Sequence, residues 1–159
     1  MRHGLICVAI IVLISFGPRA GQADDTTHQF DTATMTKLAE TIASATSKLP
    51  DIIFFNVASF TTVDLDSDTH ADTAVLALAP KDMIQPDDRV FLIVRLTGSA
   101  LPLIAEIPVN DAGLCAATVT LGLEKNASDR PVLVVDDGAC DAYRFEVEGT
   151  PPRLVVSRN

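Results

Sequence analysis

The 159-residue chain has no tryptophan, a single tyrosine and an aromatic content of 5%. It lacks the aromatic platform common in sugar-binding sites. Positive charge is also scarce: 12 Lys and Arg stand against 21 Asp and Glu, for a formal net charge of −9. Without a basic face, nucleic acid and an anionic membrane surface are excluded as main partners. Catalytic signatures are missing as well. There is no Ser nucleophile motif, no His-Glu-x-x-His, no Gly-rich phosphate loop and no Cys-x-x-Cys pair. What remains is a chain 48% hydrophobic, ordinary for a globular protein and long enough for one domain.

The N-terminus reads as an address. Met1-Arg2-His3-Gly4 is basic, and Leu5 to Phe16 is apolar but for Ser15. That run is too short to span a bilayer and suits the core of a secretory signal. Gly17-Pro18 breaks it, and the small residues Gly21 and Ala23 have the spacing a signal peptidase reads. Residues 1–23 are therefore expected to be a cleaved signal peptide, and the protein to be exported, either periplasmic or secreted. The alternative is an uncleaved anchor. Cleavage removes Arg2 and Arg19, taking the formal charge from −9 to −11. It also removes Cys7. Cys115 and Cys140 remain, and a lone pair of cysteines in an exported chain reads as one disulfide, with two free thiols as the alternative.

Residues 24–30 are polar and are expected to be a flexible N-terminus, with His28 a solvated residue inside it. Asp31 to Leu49 reads as an amphipathic helix, because Met35, Leu38, Ile42, Ala45 and Leu49 recur at three- and four-residue spacing. Asp31 or Thr32 caps its start, and Pro50 stops it. The texture then turns strand-like. Val90 to Thr97 is apolar on nearly both faces and predicts a central strand. Pro102 and Pro108 cannot donate to a ladder, so Leu101 to Val109 predicts an edge strand. Leu114 to Leu123 alternates, Val132 to Val135 is a short strand, and Ala142 to Glu148 with Arg153 to Ser157 forms a closing hairpin. In that hairpin Glu146 and Glu148 are expected to meet Arg153 or Arg158. Asn126-Ala127-Ser128 matches a glycosylation sequon and is assigned to an exposed loop. The expected fold is α+β: residues 31–159 as a single domain, the N-terminal helix packed on a mainly antiparallel sheet of about seven strands, with one disulfide.

One segment carries chemistry. Residues 64 to 72 read Asp64-Leu65-Asp66-Ser67-Asp68-Thr69-His70-Ala71-Asp72, with carboxylates at positions 1, 3, 5 and 9. Calcium takes six to eight oxygens, and alternate positions of a tight loop converge on one point. His70 would add its backbone carbonyl. An EF-hand is excluded, since Val75 stands where the closing Glu belongs and a strand-like run follows. The alternative to a calcium loop is a solvated acidic turn.

Residues 60–76 resemble a single unit of the FG-GAP or VCBS repeats, which carry Asp-x-Asp-x-Asp-Gly-x-x-Asp in a hairpin loop between two strands. The resemblance implies calcium bound by Asp64, Asp66, Asp68 and Asp72. Thr69 departs from the pattern, replacing a glycine at a position that takes positive φ. One unit is also far short of the several blades a propeller needs. The shorter echo Asp137-Gly138-Ala139-Cys140-Asp141 lacks the first acidic positions and reads as a turn.

Together these features predict an exported, non-catalytic domain with an Asp-rich, calcium-type loop. It would act through an unidentified protein or cell-envelope partner, with no nucleic acid and no membrane after signal cleavage. The competing reading is a small envelope enzyme or enzyme inhibitor with a carboxylate site that the sequence does not mark.

Overall fold

The computed structural model describes residues 31–52, 54–80, 88–109, 114, 119–138 and 142–158. The expected signal peptide, the flexible stretch 24–30, and Cys115 and Cys140 lie outside the described residues.

The element order is α1 (Thr32–Thr46), β1 (Asn56–Val63), β2 (Asp72–Pro80), β3 (Asp88–Arg95), β4 (Leu103–Ile107), β5 (Thr120–Lys125), β6 (Pro131–Asp136), β7 (Ala142–Glu148) and β8 (Arg153–Arg158). The strands form two four-stranded antiparallel meanders, β1-β2-β3-β4 and β5-β6-β7-β8. This corrects the expected α+β domain with a single sheet. The protein is mostly β, with two sheets and one helix among the described residues. The expected Cys115–Cys140 disulfide is corrected too. No disulfide is present among the described residues, and the fold rests on its apolar cores.

Those cores show why the chain divides into two sheets. Strands β2 and β3 are apolar on both faces. One face, with Ala74, Leu76, Val90, Leu92 and Val94, packs against Leu133, Val135, Tyr143, Phe145 and Val147 of the second sheet. The other face, with Val75, Ala77, Ala79, Phe91 and Ile93, packs against Leu38, Ile42 and Ala45 of α1. The molecule is therefore layered as helix, sheet, sheet. A strand with two dry faces needs a cover on each side, and one helix supplies only one. The first meander ends where Ile107 pairs with Val90. Pro108, next in the chain, has no N–H to extend the ladder. Leu114 donates its N–H to the Pro108 carbonyl at 3.0 Å, and β5 begins the second sheet at Thr120.

Local signals set the ends of the elements. Asp31 caps α1, its carboxylate accepting from the Thr34 N–H at 2.7 Å. The helix ends at Thr46, three residues before the expected Leu49. Tighter turns there carry the chain past Pro50 to Ile52, whose N–H donates to the Leu49 carbonyl. Strand β3 is central, paired on both sides, and β4 is an edge, as the two prolines around it require. In the closing hairpin, Phe145 and Val147 face inward. Glu148 lies opposite Arg153 in the ladder, whereas Glu146 lies opposite Val155, and Arg130 lies 3.7 Å from Glu146 and 3.8 Å from Glu148. No helix among the described residues is long and apolar enough to cross a membrane.

Candidate metal centre

The Asp-rich segment is the connection between β1 and β2. Val63 pairs with Asp72 at the last rung of the ladder, so residues 64 to 71 close the hairpin at one end of the first sheet. Leu65 anchors the loop. It is buried in the core between the sheets, while Asp64 and Asp66 on either side of it are half-buried and exposed. One apolar residue between two carboxylates thus fixes the direction of both.

Asp72 is the structural centre of the loop. It is 1% exposed, and both carboxylate oxygens are engaged. Leu65 donates its N–H to Oδ2 at 2.8 Å, and Thr97 donates its N–H to Oδ1 at 2.7 Å. Thr97 also donates its hydroxyl to the Ala71 carbonyl at 2.8 Å. A buried carboxylate with two charge-assisted hydrogen bonds ties the β1–β2 loop to the turn after β3. Each carboxylate oxygen still has lone-pair capacity for a cation.

Asp64 organises the tip. Its Oδ1 accepts from the Asp68 N–H at 3.1 Å and its Oδ2 from the Thr69 N–H at 2.9 Å. These bonds fold the tip back on itself and require positive φ at Ser67 (67°) and Thr69 (72°). Thr69 therefore takes the conformation of the glycine it replaces, at a cost.

Three of the four expected acidic ligands converge. One oxygen from each of Asp64, Asp66 and Asp72 lies within 4.8 Å of the others, close enough to hold a metal ion. Asp68 is not in this group. Its Oδ1 accepts from the His70 N–H at 2.8 Å, in a local turn. The His70 imidazole folds back on the same turn, with Nδ1 3.0 Å from the Asp68 carbonyl. The electrostatics single out Asp66. Loss of some solvent around the carboxyl of this exposed residue, and then the charges of Asp72, Asp68 and Asp64, push it above the usual carboxylate range. Crowded carboxylates that resist full ionisation are stabilised by a bound cation.

Thr97 was not apparent in the sequence as part of the site. Its contact with Asp72 spans 25 residues. The usable signal is the pairing of Thr73 with Arg95, which sets the chain after Arg95 beside the chain before Thr73. Asn126 has a structural role of the same kind. Its Oδ1 accepts from the Ser128 and Arg130 N–H groups at 2.9 and 3.0 Å, and its Nδ2 donates to Glu146 at 2.5 Å. The side chain of the sequon thus braces the β5–β6 turn.

A separate cavity of about 350 Å³ lies between α1 and the turn after β3. It is lined in part by Thr73 and Thr97, and none of the loop aspartates lines it. No protein-family model, no curated protein and no solved structure matches the chain.

Proposed function

We propose that this is an exported, non-catalytic β-sandwich domain whose Asp64–Asp72 loop binds calcium and which acts through a protein or cell-envelope partner. The observation that carries the reading is the convergence of Asp64, Asp66 and Asp72. Three carboxylates satisfy part of a calcium shell, and the His70 backbone carbonyl and water supply further oxygens. The loop is all oxygen in its offered ligands, which suits calcium better than zinc or copper. Calcium is favoured over magnesium because the loop is irregular, with one buried, one half-buried and one exposed carboxylate. Magnesium demands a near-ideal octahedron. Asp68 belongs to the turn that shapes the loop, and the FG-GAP or VCBS-like spacing of residues 60–76 supports the same ligand class.

The non-catalytic reading is supported by the separation of the cavity from the carboxylates, since a metal-dependent enzyme needs its substrate space at the metal. An enzyme or inhibitor would need that space to open beside Asp66.

Thermal unfolding tests the proposal. An ion that binds only the folded state raises stability by about 2.7 kcal/mol at a hundredfold excess over its dissociation constant. Calcium is expected to raise Tm, magnesium to raise it less, and Asp66→Asn to remove the calcium effect. Equal shifts with both ions, or an unchanged shift in the variant, would reject calcium selectivity or this site, respectively.

A further inference from the structure

The cavity beneath α1 has a composition at odds with the rest of the molecule. Along the helix-facing side of the first sheet, β2 presents Val75, Ala77 and Ala79, and β3 presents Phe91 and Ile93. The two-residue period places Thr73 and Arg95 next on that face, and they pair directly across the ladder. There the apolar surface gives way to a hydroxyl and a guanidinium, and the cavity of about 350 Å³ opens over them. Lys37 and Glu40 line it from α1, and Gly98 and Ser99 line it from the turn after β3. Two cations thus share one cavity with one carboxylate, in a chain of formal charge −9.

The polar groups offer donors. Thr73 is 4% exposed and lines the cavity. A threonine hydroxyl in the wall of a cavity can donate to an acceptor held there. Arg95 meets Glu40 at 3.3 Å through Nη1, and its guanidinium carries five N–H donors in all. Lys37 makes no ion pair among the described residues. The turn contributes Gly98, whose φ of 82° brings backbone close to the cavity without a side chain.

We propose that this cavity binds the oxyanion group of a small organic acid. Arg95 and Lys37 hold the negative charge, and the Thr73 hydroxyl donates to one of its oxygens. Glu40 keeps the Arg95 guanidinium in place, 3.3 Å away. The proposal stands independently of calcium binding, since none of the loop aspartates lines the cavity.

Amide chemical shifts of the ¹⁵N-labelled protein test it. The probes are sodium acetate and, separately, sodium phosphate, each at constant ionic strength made up with sodium chloride. Saturable shifts centred on Gly98, Ser99 and Ala100 are expected with at least one probe. An acetate response assigns carboxylate ligands, and a phosphate response assigns phosphate esters. Lys37→Gln is expected to weaken the response about tenfold, the loss typical of one charged hydrogen bond. Thr73→Val keeps the buried volume, so its spectrum remains folded, and it weakens the response as well. Shifts that follow ionic strength without saturating, or that saturate equally in Lys37→Gln and Thr73→Val, would overturn the proposal.

Discussion

Thr69 holds a φ of 72° within the Asp loop, a backbone conformation that a β-branched residue adopts only under constraint. The constraint is visible: its N–H is held by Asp64 Oδ2 at 2.9 Å. Glycine would keep that hydrogen bond and shed the steric cost, so Thr69→Gly is expected to stabilise the protein by about 1 kcal/mol in urea denaturation. An unchanged or lower stability would mean that the threonine side chain contributes to the loop in another way. Asp72 behaves in the opposite sense. Asp72→Ala strands the Leu65 and Thr97 N–H groups and is expected to cost about 2–4 kcal/mol, from two bonds to a charged acceptor. Asp68→Ala, at an exposed position with one local bond, is expected to cost roughly 1 kcal/mol or less. The four aspartates were legible in the sequence because alternate acidic positions in a short turn announce themselves. The division among them was not. Asp68 leaves the group because its oxygen is captured by the His70 N–H, and Asp72 is fixed by a residue on another hairpin.

The elements answer to forces that the sequence carries unevenly. Helix α1 was legible from its apolar spacing and its Asp31 cap, and β3 and β4 from a two-faced apolar run and from proline. The partition of strands into two sheets was not legible, because a period of two shows that a face is buried and not what covers it. Leu76 and Val75 are adjacent and both fully buried, one against the second sheet and one against α1. Leu38 is the most enclosed large apolar side chain that the helix brings to that second contact, at 2% exposure. Leu38→Ala is expected to cost about 2–5 kcal/mol, with β1 to β4 amides losing protection from hydrogen exchange before those of β5 to β8. Simultaneous loss across both sheets would show that the layers do not open separately.

Arg89 ties three of these elements at the open end of the first sheet. Its Nε and Nη2 reach Glu106 on β4 at 2.7 and 2.8 Å, and its Nη1 reaches Asp51 after α1 at 2.7 Å, while the guanidinium sits 4.9 Å over the Phe91 ring. The guanidinium holds the carboxyls of Glu106 and Asp51 below their usual range. Lowered carboxyls bind fewer protons in the folded chain than in the unfolded one. Their contribution is therefore present above the ordinary carboxylate range and lost as pH falls through the folded values. Stability measured from neutral to acid pH is expected to fall less steeply in Glu106→Gln than in the parent. Parallel curves would mean that the bridge contributes nothing to acid sensitivity. Both carboxylates are largely solvated, which keeps this effect modest.

As a whole the molecule is a helix-covered β-sandwich with an acidic loop at one end of its inner sheet and a cation-lined cavity alongside. Export, calcium and a partner form one consistent proposal, because extracellular modules bind calcium weakly and meet it at high concentration. Protein recovered from a secreting host is expected to begin at Asp24 by intact mass, and a chain retaining Met1 would remove the export proposal. Calcium itself is decided most directly by titration calorimetry of the parent beside Asp66→Asn and Asp68→Asn. One ion per chain is expected for the parent, with a dissociation constant of roughly 10⁻⁴ to 10⁻³ M. Asp66→Asn should abolish the heat, and Asp68→Asn should retain it. No heat with the parent, or the same heat with Asp66→Asn, would contradict a calcium site built on Asp64, Asp66 and Asp72.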